Sequence, residues 1–291
     1  MGSKLIKILI YLVVLVFALI CLMPFIMVLT GSVSNEQDIY KYGYTLIPKH
    51  FDLISYRILL LDIGTIANAY KISVIVTVAG TFISLLVNTM LAYVISRKTL
   101  KYRKVISVYA LITILFNGGM VPWYIVCVNY LHLKDTLIAL ILPYIANAWY
   151  VFLLRNYLQT IPEEMHESAK IDGAGEYTIF FKIILRLMTP ALATVGLFTA
   201  LLYWNDWWLG LMLIDKTQLQ PLQLLLRTIV SNIMFLKAST NAAAMQAIIA
   251  TLPSEGIKMA ICVITIGPIV FLYPFLQKYF VKGIMIGAVK G

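Results

Sequence analysis

The sequence is poor in charge and in the residue sets that build catalytic or metal centres. Charged residues make up 12% of its 291 positions, against 61% hydrophobic. A soluble domain carries about 25% charged residues, so a soluble globular protein is excluded. Cysteine occurs three times, as Cys21, Cys127 and Cys262, each inside an apolar run. An odd, scattered set of that kind supports neither a disulfide framework nor a metal cluster. His50, His132 and His166 are isolated from one another and from the cysteines, so no metal site is assigned. There is no phosphate-binding glycine loop and no Ser–His–Asp set, and no catalytic residue is assigned. Acids are few, 13 against 23 Lys and Arg. The basic residues collect at the ends of apolar runs, which is a membrane pattern and not a nucleic-acid footprint.

What is present is lipid-length helix. Six segments are long enough for a hydrocarbon layer of ~30 Å, which takes about 20 helical residues. They are Ile8–Thr30, Asn68–Ser96, Val105–Val128, Thr136–Leu158, Leu187–Ile214 and Gly256–Tyr279. The first follows Lys4 and Lys7 as a signal peptide would, but its apolar run is too long and no clean cleavage site follows. It is read as an uncleaved helix. Five basic residues between Arg97 and Lys104 set the orientation. With that run in the cytoplasm, both termini and the stretch 161–190 are cytoplasmic as well.

Several segments carry polar groups. Ser73, Thr77, Thr81, Ser84 and Asn88 share one face of the second segment with Gly80. Helix packing and a polar passage both suit that face. Phe116–Trp123, FNGGMVPW, should open the third segment. Such a break must lie against protein or water, because bare backbone is costly in lipid. Asn147, Trp149 and Tyr150 sit in the middle of the fourth. The fifth reaches Tyr203–Trp208, YWNDWW, about 28 Å from Leu187 at 1.5 Å per residue. Trp204, Asn205, Asp206 and Trp207 there read either as an aromatic belt at the outer boundary or as a sugar-facing cluster. Residues 32–67 and 215–255 form the longer outer segments. Ala242–Leu252 is apolar enough to dip into the membrane, and the tail Lys282–Gly291 is flexible by its glycines.

The stretch Ile161–Pro190 stands out. It holds all five acids of the cytoplasmic side: Glu163, Glu164, Glu167, Asp172 and Glu176. The spacing predicts a short helix capped by Thr160 with Glu163 three residues on, a break at Gly173 and Gly175, and a second helix returning to the membrane. Ile161, Met165 and Ala169 make an apolar face, and a Glu167–Lys170 pair offsets the Glu163–Glu167 repulsion. A rigidly held helix with acids and a small apolar knob suits the groove of a partner protein. An ion-coupled carrier would bury ionisable groups in mid-membrane, and only Asp206 qualifies. Nor do two matching broken-helix halves appear.

This stretch resembles the loop that defines the membrane subunits of binding-protein-dependent ABC importers. The family pattern is E-A-A, three residues, G, nine residues, I-x-L-P. Here Glu167-Ser168-Ala169, Gly173 and Ile183-Ile184-Leu185-Arg186 keep the spacing, with Ser168 in place of Ala and Arg186 in place of Pro. The FNGGMVPWYI, WND and YFVKGIMIGAVKG segments resemble the carbohydrate-uptake branch, in permeases for complex oligosaccharides.

The resemblance implies an all-α, six-helix membrane protein with the type I ABC importer transmembrane-domain fold, in a bacterial plasma (inner) membrane. It implies a first helix and outer loop over 1–67, a permease core over 68–281 and a cytoplasmic tail over 282–291. Glu163, Glu164, Glu167, Ser168, Ala169, Asp172 and Gly173 would contact an ABC ATPase dimer. That dimer, and not this chain, would bind ATP and Mg2+. A second homologous permease and an extracellular sugar-binding protein complete the expected assembly. Trp149, Tyr150, Trp204, Asn205, Asp206 and Trp207 are the candidate contacts to an oligosaccharide substrate. The alternatives are an ABC permease for a non-sugar solute and a gradient-driven carrier.

Overall fold

The computed structural model describes residues 2–238 and 253–267. Ala242–Leu252, the distal part of the sixth segment and the tail Lys282–Gly291 lie outside them. The described residues are helical, with one isolated antiparallel bridge, Ser34 to Phe51. They divide into two units. Residues up to Ala67 and from Leu225 onward form the first, and Asn68–Leu224 the second.

In the first unit, α1 (Gly2–Ser32) is apolar and exposed from Ile6 to Ile26, and it is buried only at Gly31 and Ser32. That is the character of a lipid-facing span. Gly31 closes it, at a point where a Cβ would sit 3.1 Å from Met259 and 3.3 Å from Tyr44. The short α2 (Glu36–Tyr42) is capped by Asn35, whose side chain accepts the Gln37 N–H at 3.0 Å. Glu36, on the first turn of α2, caps a second helix at long range. Its carboxylate accepts from Ser254 Oγ (3.1 Å), Glu255 N–H (3.1 Å) and Gly256 N–H (3.0 Å). The two amides are orphan donors at the start of the helix over 254–267, so one buried acid supplies what a local cap would. A Cβ on Gly256 would collide with Ser55 Oγ. The helix α3 (Ile54–Leu60) completes this unit before the chain enters α4 (Ile63–Ser96).

In the second unit, most spans are broken. α4 is long and continuous, but the next three segments bend. α5 (Arg103–Leu115) meets α6 (Met120–Tyr130) at 115°. Leu137–Tyr144, made of tight 3-10 turns, meets α7 (Ala148–Leu158) at 52°. α9 (Glu176–Leu187) meets α10 (Thr189–Asn205) at 80°. Between α7 and α9 lies α8 (Glu164–Ile171), and α11 (Trp208–Leu213) follows α10. α12 (Leu222–Ala238) leads back to the first unit. α1 and α4 are long and apolar enough to cross a bilayer. Counting each bent pair as one span gives up to five among the described residues.

The break at Phe116–Gly119 falls where the glycines put it, with Gly119 at φ 87°. Two other segments differ from the continuous helices expected, with three breaks between them. Thr136–Leu158 is interrupted at Ile145–Asn147 because Pro143 lacks an N–H and Asn147 caps a fresh helix, accepting from Trp149 N–H at 2.9 Å. Leu187–Ile214 is interrupted twice. It turns at Met188, ahead of Pro190, and again at Asp206, which accepts the Leu209 N–H at 3.1 Å and starts α11.

These breaks leave backbone groups that lipid would not satisfy. The small and polar face of α4 supplies partners. Asn88 donates to Ile145 O (3.0 Å) and accepts from Asn147 N–H (2.8 Å), so a single buried amide holds both sides of one break. Ser84 accepts from that same amide at 2.9 Å, and Ser73 accepts the Leu222 N–H at 2.8 Å. Tyr203 donates to Ile141 O at 2.9 Å. Gly80 lets this tyrosine in, because a Cβ there would stand 2.7 Å from its ring.

Two apolar clusters fill the second unit. One joins α4, α7, α8, α9 and α10 through Ile95, Leu154, Ala169, Ile179, Met188 and Val195. The other joins α4, α6, the 3-10 turns and α11 through Val76, Cys127, Leu140, Tyr203 and Leu213.

Candidate docking site

The site is built on α8. The chain leaves α7 through Thr160, whose hydroxyl donates to Tyr157 O at 2.7 Å and so closes α7. The expected Thr160 cap is therefore not formed, and α8 begins at Glu164. α8 ends in a Schellman turn: Gly173 N–H donates to Lys170 O at 3.0 Å and Ala174 N–H to Ala169 O at 2.9 Å. Gly173 has φ 79°, the left-handed region that glycine enters without cost. The expected glycine break is thus a C-cap, and α9 runs from it as expected.

The inner face of α8 differs from the expected Ile161–Met165–Ala169 stripe. Ala169 is buried, Met165 is exposed, and His166 is only 3% exposed. His166 lies at the centre of a polar lock. Arg97, at the end of α4, donates to His166 Nδ1 at 2.9 Å. An arginine cannot accept, so the ring proton is on Nε2. That proton faces Glu176 Oε2 at 3.2 Å and Tyr93 Oη at 3.1 Å. Tyr93 in turn donates to Glu176 Oε2 at 2.7 Å, and Lys170 pairs with Glu176 Oε1 at 2.8 Å. Lys170 thus binds Glu176 and not Glu167. The hydrogen bonds from Lys170, Tyr93 and His166 hold the Glu176 carboxyl down at about 2.

A second tie runs from Lys98 to Glu163 at 2.9 Å, and it lowers the Glu163 carboxyl below its ordinary value. Glu163 is therefore spent on the α4 end, where repulsion from Glu167 had been expected. Arg97, Lys98, Arg103, Glu163, Glu164 and His166 border an open cleft of about 520 Å³ beside the element.

What remains outward is Glu164, Glu167, Ser168, Asp172 and Gly173, all exposed, with Ile171 at 86%. Of the candidate coupling residues, the fold brings these five together on one surface. Glu163 is instead tied to Lys98, and Ala169 is buried. Sequence reasoning missed Tyr93, Arg97 and His166. His166 pairs across 73 and 69 residues, and no local spacing signals that.

The candidate substrate residues do not converge in the same way. Trp204 is 8% exposed, with its ring 6.2 Å from Tyr70. Asn205 donates to Leu201 O at 2.9 Å. Asp206 accepts from Tyr144 Oη at 3.0 Å besides capping α11. Trp207 is half-buried at the same break. Trp149 and Tyr150 open α7, with Trp149 65% exposed and Tyr150 packed against the first cluster. Among the described residues no group of His, Cys, Asp and Glu has the arrangement of a metal site.

Comparison with known proteins agrees with this architecture. Residues 101–286 match the model of the binding-protein-dependent transport system inner membrane component. The polygalacturonan/rhamnogalacturonan transport system permease protein YtcP of Bacillus subtilis (strain 168) is 39% identical over the full length of both chains. The arabinooligosaccharides transport system permease protein AraQ of Halalkalibacterium halodurans is 30% identical over 94% of this chain and 93% of its own. Among solved structures, a bacterial ABC transporter involved in the import of the acidic polysaccharide alginate superposes with a TM-score of 0.80. It is 28% identical and covers 96% of this chain and 98% of its own. A short helix held at the ends of broken membrane helices, and a family match that spans it, lead to one conclusion: the chain belongs to the inner membrane components of binding-protein-dependent ABC transport systems.

Proposed function

We propose that this chain is the permease subunit of an ATP-driven importer that moves an oligosaccharide into the cell. α8 is the coupling helix. Glu164, Glu167, Ser168, Asp172 and Gly173 enter a cleft of a separate ATPase, while Glu163 and Ala169 hold α8 to its own chain. ATP and Mg2+ bind in that ATPase dimer. A second, similar permease and an extracellular sugar-binding protein complete the assembly. Both termini and α8 lie on the cytoplasmic side.

The observation that carries this reading is the outward face of α8 set against its inward lock. Five exposed positions are held by a buried histidine and an acid with three hydrogen-bonded partners. A helix so fixed transmits a push to α4 and α9 and does not fold away. The oligosaccharide assignment rests on relatives named for polygalacturonan/rhamnogalacturonan and arabinooligosaccharide transport.

The test is purification of this chain from its native membrane, with ATPase measured with and without glycans. An ATPase and a second permease that co-purify, with hydrolysis stimulated by glycan, support the reading. A chain that purifies alone and moves solute under an ion gradient refutes it.

A further inference from the structure

The cleft beside α8 has a lining that is part cationic and part apolar. Its cations are Arg97, Lys98 and Arg103, where α4 hands over to α5. Lys98 is neutralised by Glu163 at 2.9 Å. Arg97 is held in place, because it donates to His166 Nδ1 at 2.9 Å and its guanidinium lies 6.0 Å from the centre of the Tyr93 ring. A guanidinium has five N–H donors, so Arg97 keeps most of its own for another acceptor. Arg103 is half-buried, and its side chain makes no hydrogen bond or ion pair among the described residues. Glu164, the other acid of the lining, is exposed on α8. The apolar part is Leu158, Ile161, Pro162 and Ile184, an edge of the first apolar cluster.

Position matters as much as sign. Arg97 and Lys98 follow the C-terminus of α4, where the helix dipole favours cations. Arg103 and Lys104 open α5, where the dipole opposes them. α5 has no side-chain cap and no acid in its first turn to offset them. Lys104 is exposed to solvent and outside the cleft, whereas Arg103 borders it. A half-buried, unpaired arginine at the positive end of a helix is costly unless an anion joins it. The cleft sits where one apolar helix ends and the next begins, and the anions abundant at such a boundary are lipid phosphates.

We infer that this cleft binds the phosphate of an anionic phospholipid between Arg97 and Arg103. The planar fork of arginine matches phosphate oxygens with parallel hydrogen bonds. The glycerol and first methylenes of the lipid cover Leu158, Ile161 and Ile184, for which a free phosphate ion has no use. The bound lipid ties the start of α5 to Arg97, and through Arg97 to His166 and the root of α8. Headgroup binding goes beyond the importer reading and stands apart from it, since it requires a membrane boundary and not transport.

The test uses the complex of this chain purified in a neutral detergent. It is titrated with phosphatidylglycerol or with phosphatidylcholine, and bound lipid is counted by native mass spectrometry. The wild type should bind phosphatidylglycerol in preference to phosphatidylcholine, whose choline cation the two arginines repel. Arg103→Gln should weaken phosphatidylglycerol binding about tenfold, the loss expected for one hydrogen-bonded charge contact, and leave phosphatidylcholine unchanged. Arg103→Lys should recover part of that loss, since it keeps the charge without the fork. Lys104→Gln, one residue on and outside the cleft, should bind as the wild type does. Equal losses in Arg103→Gln and Lys104→Gln would reduce the effect to surface charge and overturn the site. Equal binding of the two lipids, or unchanged phosphatidylglycerol binding in Arg103→Gln, overturns it as well. Inorganic phosphate that displaces phosphatidylglycerol at equal concentration would make the free ion the occupant and overturn the lipid assignment.

Discussion

The coupling element over 161–176 and the aromatic break over 203–208 look alike as sequence. Each is a short polar interruption between apolar runs. In three dimensions they differ in where their polar atoms go. At the aromatic break, Asp206 is spent on Tyr144 and the Leu209 N–H, Asn205 bonds Leu201 O, and Trp204 is buried. At the coupling element the lock consumes His166, Lys170 and Glu176, and still leaves two glutamates and an aspartate exposed beside Ser168. The lesson is that polar residues in a membrane protein divide into those that repair broken backbone and those left over. Only the second kind is available to a partner.

Variants sharpen that contrast, and the largest effect belongs to the leftover surface. Gly173→Pro removes the N–H of the Schellman turn and forbids its φ of 79°. Glu167→Lys reverses an exposed charge without touching the fold. Both should abolish ATP-driven uptake, with membrane content unchanged on immunoblots for Glu167→Lys. Uptake that survives in Glu167→Lys would remove the distinction between the two regions.

The lock comes next. His166→Ala leaves Arg97 and the Tyr93–Glu176 pair short of a buried partner, at a cost of ~1–3 kcal/mol. The expected result is a lower melting temperature, with hydrolysis less dependent on glycan. A smaller effect is expected at the aromatic break. Asp206→Ala loses a helix cap, about 1 kcal/mol. Asp206→Asn keeps one acceptor oxygen, for Tyr144 or for the Leu209 N–H but not both, so it should cost less than Asp206→Ala and still transport. Loss of uptake in Asp206→Asn at normal thermal stability would move the functional centre to this break.

The mildest expectation concerns pH. The folded state holds Glu176 at about 2, below the ordinary 4.5. Its contribution is thus fully present above the unfolded value and is lost as pH falls from 4.5 toward 2. Amide exchange in α8 should rise over that window in the wild type and be nearly flat in Glu176→Gln. The carboxyl is half-exposed, so solvent screening keeps the change small.

Some of this was legible in the sequence. The glycines and proline of FNGGMVPW announce a break, and Gly173 announces the end of α8, because backbone preference is a local property. The interruption at Asp206 carries neither glycine nor proline and was read as continuous helix. It depends on Tyr144, 62 residues away. Asn88 was placed on the correct polar face, yet its task is set by a break 57 and 59 residues distant. Glu36 falls within the outer segment over 32–67, yet it caps a helix more than two hundred residues later. Local rules locate breaks, and only the fold shows which side chain mends them.

The most direct test of the coupling claim is a photo-crosslinker placed at Ser168 on α8, with the same probe at Trp207 as the contrast, in intact membranes. The account predicts an adduct with the partner ATPase from position 168 and none from 207. No ATPase adduct at 168, or equal adducts from both positions, would contradict it.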